Sequence, residues 1–336
     1  MKNLPFCLIA ILLFAIPAFA QNDIKTFKDN AGELSLQGKF NEAITEINKA
    51  IALQPNDADL ILKRAELQRF AENNQAFIND VQKAVLINPS DKKVLYSGAL
   101  LLHRAGNYEQ ALKICSELFA LGEPDVWAWQ LIVRIKTHLE DFVGAFEDVS
   151  KAIELFPENA VFRQNQANLI RLMGNSDKAI EMYTSLIAVY EKKLSAEKDE
   201  NKKERFRYDL SQFLFSRSRV YFENFNKESA QADLIRAVEH LPIARIYYQR
   251  ARNYIMFKMY AEALSDLNKA IELEKDKAKF TYFIDRGDIY FRMRKYSEAI
   301  QDYEQVIKLQ DTLKEPMQRR IVLAKQKVQE NSNQPK

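Results

Sequence analysis

The sequence predicts an all-α protein, a solenoid of about eight helix-turn-helix units followed by a C-terminal capping helix. Three observations carry that prediction. Only 8 glycines and 9 prolines occur in 336 residues, so helical runs are little interrupted. A small residue recurs in an x-E-A-I-like step at Ala43, Ala111, Ala145 and Ala179, with separations of 68, 34 and 34. A second small residue recurs seven positions beyond that step, at Ala50, Ala84, Ala152, Ala237 and Ala270. Seven residues are two helical turns, so both small residues lie on one face.

The punctuation fits the same period. Pro55, Pro89, Pro157 and Pro242 stand five residues after the second small residue. Each ends a second helix, because proline cannot continue one. Gly38, Gly106 and Gly174 precede the first small residue by five and mark the turn inside a unit. The best-preserved copy is 283–310, with Gly287 and Ala299 where its helices touch and Tyr290, Tyr296 and Tyr303 around them.

A helix-turn-helix period of 34 with this pattern resembles the tetratricopeptide repeat (TPR) family. The resemblance implies a right-handed α-solenoid with units beginning near Ile24, Ala58, Lys92, Val126, Ala160, Ser211, Ala244 and Phe280. It is strongest in units one, seven and eight. Unit two carries Phe77 where the family has alanine, and unit three carries Cys115 and Leu118 at a bulky and a small position respectively.

The period breaks once. Ala179 to Ala230 is 51 residues, or 34 plus 17. The excess lies in 191–206, EKKLSAEKDENKKERF, which has many charges and no apolar face. It reads as a solvated extension of the flanking helices around a loop. The alternative is a flexible linker between units one to five (24–190) and units six to eight (207–311). Residues 315–330 carry Ile321, Val322, Ala324 and Val328 among Lys and Arg, with Pro316 in the first turn. This is the polar-backed capping helix a repeat stack needs. The tail 331–336 is expected to fray.

Residues 1–20 read as a secretory signal peptide. Lys2 forms the basic end, Leu4 to Phe19 is apolar, and Ala18-Phe19-Ala20 offers small residues to a signal peptidase before Gln21. The apolar run is short for a span of ~20 residues, which argues against an uncleaved anchor. Cys7 lies inside the run rather than at the cleavage point, which argues against a lipid-modified cysteine. The expected location is outside the cytoplasm of a bacterium, periplasmic or secreted, with no membrane span after cleavage. Cys115 is then the remaining thiol and is expected to be buried and inert. Lys+Arg 49 against Asp+Glu 46 gives +3, which is no footprint for nucleic acid.

Four units carry arginine where the family has a bulky apolar residue: Arg64, Arg217, Arg250 and Arg286. Each is followed sixteen residues later by aspartate: Asp80, Asp233, Asp266 and Asp302. Units three and five have neither partner (Gly98 with Ile114, Gln166 with Met182), and unit four has the acid Asp148 opposite Ile132. The arginine never occurs without the acid. A semi-buried guanidinium–carboxylate pair fixing helix register is therefore expected in each of the four.

Signals of catalysis are absent. His103, His138 and His240 are read as far apart, and none sits in H-E-x-x-H. There is no metal-ligand spacing, no G-x-S-x-G elbow and no phosphate-binding G-x-x-x-x-G-K-[ST] loop. No enzyme activity, metal or cofactor is expected. The TPR resemblance implies that first helices line a groove. In units six and seven its groove positions hold Gln212, Phe215, Arg219 and Phe222, then Arg245, Tyr248, Arg252 and Ile255. Phe215, Arg219, Phe222, Arg245, Tyr248 and Arg252 are candidates to stack on an extended peptide and hold a carboxylate. The alternative is that the aromatics pack between units and the arginines are merely solvated. In earlier units the same face is more polar, with Lys63, Lys93, Tyr96, Gln130, Arg134, Gln164 and Asn168. The family's lysine–asparagine clamp for chaperone C-termini is not intact here. The expected function is a non-catalytic scaffold or adaptor for a protein or peptide partner. The alternative is an accessory subunit docking to a larger envelope or secretion assembly through its convex face or charged insert.

Overall fold

The computed structural model describes residues 18–122 and 124–332. Residues 1–17 of the expected signal peptide, Cys7 included, lie outside the described residues, as does 333–336 of the tail. Among the described residues there are seventeen α-helices, two short 3-10 turns and no strand. The helices are α1 (Ala18–Leu36), α2 (Phe40–Leu53), α3 (Ala58–Phe70), α4 (Asn74–Ile87), α5 (Lys92–Arg104), α6 (Tyr108–Ala120) and α7 (Val126–His138). Then come α8 (Phe142–Leu155), α9 (Ala160–Leu172), α10 (Ser176–Ala196), α11 (Glu200–Glu223) and α12 (Lys227–His240). Last are α13 (Ala244–Met256), α14 (Tyr260–Glu274), α15 (Phe280–Arg292), α16 (Tyr296–Leu309) and α17 (Lys314–Ser332).

The chain forms two compact units, Met1–Leu139 and Glu140–Lys336, so the division falls between α7 and α8. In the first, α1 packs on α2, α3 on α4, α5 on α6, and each pair on the next helix in sequence, ending with α7 on α6. In the second, the same neighbour-to-neighbour packing runs from α8 to α17.

The small residues explain the close pairing. Ala43, Ala50, Ala84 and Ala111 in the first unit are fully buried, as are Ala145, Ala152, Ala179, Ala237, Ala270 and Ala299 in the second. A methyl group lets the facing backbone approach without a void. At Gly287 even a methyl does not fit, since a Cβ there would stand 2.8 Å from Cε1 of Tyr303. Phe77, Cys115 and Leu118 depart from the family pattern yet are fully enclosed. Burial pushes the Cys115 thiol up to about 12.

The turn inside each unit uses a left-handed residue. Gly38, Gly106 and Gly174 have φ of 74°, 80° and 86°. Glu72, Glu140, Phe225, Lys258 and Arg294 take the same conformation at 59° to 61° without glycine's freedom. The closing hydrogen bonds impose it. The residue after the turn donates its N–H to a carbonyl five residues back, as Asn226 does to Tyr221 and Lys295 to Tyr290, both at 2.8 Å. This is the bond of a Schellman-type helix end.

The charged stretch 191–206 continues α10 to Ala196 and opens α11 at Glu200. Asp199 caps α11, its Oδ1 accepting from the N–H groups of Asn201 and Lys202. The expectation of no apolar face needs correction. Leu194 and Phe206 pack against the core of the second unit, and Phe206 meets Tyr190 edge to face at 5.8 Å. The helical hairpin turns both residues inward on the same side. The packing of α9 and α10 on α11 runs across this hairpin.

All four arginine–aspartate pairs are two-pronged. Nε and Nη2 donate to the two carboxylate oxygens at 2.7 and 2.7 Å for Arg64–Asp80 and 2.8 and 2.7 Å for Arg217–Asp233. The distances are 2.7 and 2.7 Å for Arg250–Asp266, and 2.8 and 2.6 Å for Arg286–Asp302. The third nitrogen reaches the second helix of the preceding repeat. Nη1 donates to Asn48 from Arg64 (2.7 Å), to Thr184 from Arg217 (2.8 Å) and to Asn268 from Arg286 (2.7 Å). In unit five Gln166 stands at the arginine position and donates to Ser150 at 3.1 Å in the same way. The equivalent place before Arg250 is Ile235, which has no acceptor to offer.

Two stability outcomes follow from these contacts. Asp302→Ala strands a half-buried guanidinium and costs ~3 kcal/mol. It is read as lost amide-exchange protection in α15 to α17; unchanged protection contradicts the role given to the pair. Phe225→Gly stabilises. A non-glycine residue in the left-handed region costs ~1–2 kcal/mol. Glycine's larger unfolded-state entropy offsets ~0.4–1 kcal/mol of that. Phe225 is 90% exposed, so its ring gives up little packing. A denaturant midpoint that falls rather than rises refutes this account of the turn.

Candidate functional site

In the second unit α9, α11 and α13 are first helices of successive repeats and lie side by side. Their shared face holds a recess of about 390 Å³. Three glutamines cross it. Gln164 of α9 donates to the Ser216 hydroxyl of α11 at 2.8 Å. Gln212 of α11 and Gln249 of α13 exchange amide hydrogen bonds at 3.0 and 2.9 Å. Phe215 forms a buried floor, and Met256 is an exposed apolar wall.

The two arginines of the recess differ. Arg219 Nε donates to Glu223 at 3.3 Å, and both oxygens of that carboxylate also accept from Arg171, at 3.0 and 2.9 Å. Arg219 is thus one of two cations sharing one anion. Arg252 is exposed and makes no hydrogen bond or ion pair among the described residues. Asp285 feels its field, yet burial of Asp285 outweighs this and raises that carboxyl.

Of the six sequence-derived candidates, Phe215, Arg219 and Arg252 line this recess. The other three pack between repeats. Phe222 stacks on Phe257 with centroids 3.7 Å apart. Arg245 donates to the Tyr208 hydroxyl at 2.8 Å and lies over that ring at 4.8 Å. Tyr248 packs on Tyr282 with ring centroids 4.6 Å apart. Sequence reasoning passed over Gln249 and Ser216. The available signal was polar side chains recurring on first helices at facing positions.

In the first unit α1, α3 and α5 border a recess of about 590 Å³. Three of its charged side chains are paired, Asp59 with Lys93 at 2.7 Å and Lys63 with Glu66 at 3.0 Å. The histidines need a correction. His103 and His138 are neighbours, with ring centroids 5.2 Å apart, and Tyr108 stacks on His138 at 4.7 Å. They close successive first helices, α5 and α7, so one repeat of sequence separation becomes a contact. Both ring nitrogens of His103 are buried without a hydrogen-bond partner. Burial, helped by the charges of Arg134, His138 and Arg104, pushes His103 down to about 4. Among the described residues no group of three or more His, Cys, Asp or Glu is placed to hold a metal ion.

Residues 244–277 and 280–313 match models of the tetratricopeptide repeat. Over those residues the chain carries two tetratricopeptide repeats. The chain is 22% identical over 236 residues to Hsp70-Hsp90 organizing protein 1 of Glycine max. That stretch covers 69% of this chain and 38% of the relative, so this chain spans well under half of that protein's length. A tetratricopeptide repeat protein from Parabacteroides merdae superposes with a TM-score of 0.52 at 18% identity, covering 76% of this chain and 95% of that one. Pseudomonas aeruginosa pilF gives a TM-score of 0.45 at 14% identity, covering 67% of this chain and 94% of that one. The Parabacteroides likeness is one of fold.

His103 gives the first compact unit an acid sensitivity whose sign is fixed. Its folded pKa of about 4 lies below the ordinary value of 6.5, so the unfolded chain takes up the proton first. Stability present above pH 6.5 is therefore lost as pH falls from 6.5 towards 4. His103→Phe keeps a ring beside Tyr108 and removes the titration. Thermal midpoints of the variant should decline less than wild type across that window, and parallel curves would show that His103 contributes nothing.

Proposed function

We propose that this chain is a non-catalytic scaffold that holds an extended, acidic segment of a partner protein across α9, α11 and α13. Arg252 carries the reading. It is a guanidinium with no carboxylate of its own, at the edge of a recess lined with amides. A ligand carboxylate gains a charge-assisted, two-pronged bond there, roughly twice as strong as a neutral one. Gln164, Gln212 and Gln249 retain donor and acceptor capacity for a peptide backbone. Phe215 and Met256 offer one apolar contact between them. Arg219 can turn from Glu223 towards the ligand at small cost, because an exposed pair of this kind is worth ~0–1 kcal/mol.

Tetratricopeptide repeats generally mediate protein–protein interaction, and the name of the soybean relative describes an organiser of two partner proteins. Both support a scaffold in class. We place the protein outside the cytoplasm of a bacterium, periplasmic or secreted, on the strength of the basic, apolar and small-residue pattern of residues 1–20. No helix among the described residues is long and apolar enough to cross a membrane. A second reading, an accessory subunit docking to a larger envelope assembly, draws on the α10–α11 hairpin, which extends past the repeat and ends in the charged turn 197–199.

Crosslinking capture from the native envelope separates the two. Arg252→Glu is expected to weaken capture about tenfold or more, equivalent to ~1.4 kcal/mol. Replacing Lys198, Lys202 and Lys203 with serine should leave it intact. The opposite pattern assigns binding to the hairpin and overturns the groove reading.

A further inference from the structure

The charges beside the α9, α11 and α13 recess are unevenly shared. Arg171 of α9 and Arg219 of α11 have one carboxylate between them, that of Glu223. Nη1 of Arg171 donates to both of its oxygens at 3.0 and 2.9 Å, and Nε of Arg171 donates to Asn168 at 3.1 Å. Nε of Arg219 reaches one oxygen, at 3.3 Å. The Arg171 side chain is 11% exposed, against 50% for Arg219 and 38% for Glu223. The inner cation is therefore fixed, while the carboxylate and the outer cation stand partly in water.

Glu223 is an acid in an unfavourable place. It is the last residue of α11. The carbonyl end of a helix carries partial negative charge, which favours cations and disfavours anions. Arg171, in the last turn of α9, is well placed by the same rule. The neighbouring first helices α9, α13 and α15 end in Leu172, Met256 and Arg292, so the repeat itself does not call for an acid there. Two guanidiniums hold Glu223 in position, and in return it keeps the nearly buried charge of Arg171 from standing without an anion, which is costly.

A ligand carboxylate satisfies the same donors. We infer that Glu223 is an internal stand-in for an acidic side chain of the ligand: it occupies the anion position at Arg171 and Arg219 while the groove is empty, and an acidic segment displaces it on docking. The inference rests on the groove reading above and adds a specificity determinant to it. A ligand acid that meets Arg252 gains a new partner, because Arg252 has none among the described residues. A second acid that meets Arg219 and Arg171 must first expel Glu223, so it gains only the difference between two similar bonds. Glu223 thus sets how acidic a segment has to be before it holds the groove. Its position at a helix end and its partial exposure leave the expelled side chain free to turn into water.

The test compares the full chain with its Glu223→Gln variant, which keeps the shape and removes the charge. The probe is a peptide of alternating glutamate and serine, capped at both ends so that no terminal charge takes part. The control peptide has glutamine in place of glutamate. In calorimetry the variant is expected to bind the acidic peptide about tenfold more tightly and the control within about twofold of wild type. The gain should shrink with added salt, since it comes from one more unanswered positive charge. A merely structural role for Glu223 moves both peptides alike and overturns the inference. So does acidic-peptide binding that is unchanged or weaker in the variant; if Arg252→Glu still weakens that binding, the groove reading stands without Glu223. Binding of the acidic peptide to neither chain overturns both. The unaltered chain supplies a second measurement that needs no folded variant. On titration with the acidic peptide, the NMR resonances of the Glu223 carboxyl carbon and the Arg219 Nε–H should both shift, and with the control both should stay. Resonances that stay put while the acidic peptide binds overturn the displacement.

Discussion

The arginine–aspartate fork is the constraint on which this array depends. Its two prongs close only when first and second helix sit in one register, because a planar guanidinium and a planar carboxylate must face each other edge on. In the Arg217–Asp233 pair the side chains are 9% and 4% exposed. Taking two such ions out of water costs several kcal/mol per ion, so the pair returns little net stability. What it supplies is alignment. The third nitrogen then passes that alignment back to the preceding repeat at Asn48, Thr184 and Asn268. Gln166 shows the linkage persisting with a neutral side chain where the fork itself is missing. Gly287, next to Arg286, shows how close the aligned helices come.

Most of the fold was legible because the repeat writes the same physical demand many times. Small residues at helix contacts, prolines at exits and arginine–aspartate spacing all recur, and recurrence separates signal from accident. Helices α3, α5, α7, α9, α13 and α15 begin at the residues the period names. What was not legible falls into two kinds. Glu72, Glu140, Phe225, Lys258 and Arg294 adopt the glycine conformation without being glycine, because backbone bonds from both helices dictate φ whatever the side chain. Leu194 and Phe206 turn inward from a stretch that looks uniformly polar, since only the hairpin brings them to one side.

The site was legible in part, for a related reason. A repeat frame says which positions face the groove but not which side chains reach across to the next helix. Long side chains with a neighbour in reach left the groove, as Arg245 did for Tyr208 and Phe222 for Phe257. Arg252 makes no hydrogen bond or ion pair among the described residues and stayed in it. His103 and His138 make the same point in the first unit, where one repeat of separation became a ring contact.

Charge that is already answered cannot recognise a partner strongly, and this sorts the surface of the array. Lys63 is paired with Glu66, and Arg171 and Arg219 share Glu223. The more exposed of these, Lys63–Glu66 and Arg219–Glu223, are worth ~0–1 kcal/mol each and offer a ligand only an exchange of one anion for another. Arg252 makes no hydrogen bond or ion pair among the described residues and offers an open donor set. Copies that agree hold the array in register, so recognition has to come from positions where copies differ. Arg252 is such a position. It sits on a first helix facing a recess and makes no ion pair, whereas Arg219, its counterpart one repeat earlier, is paired with Glu223.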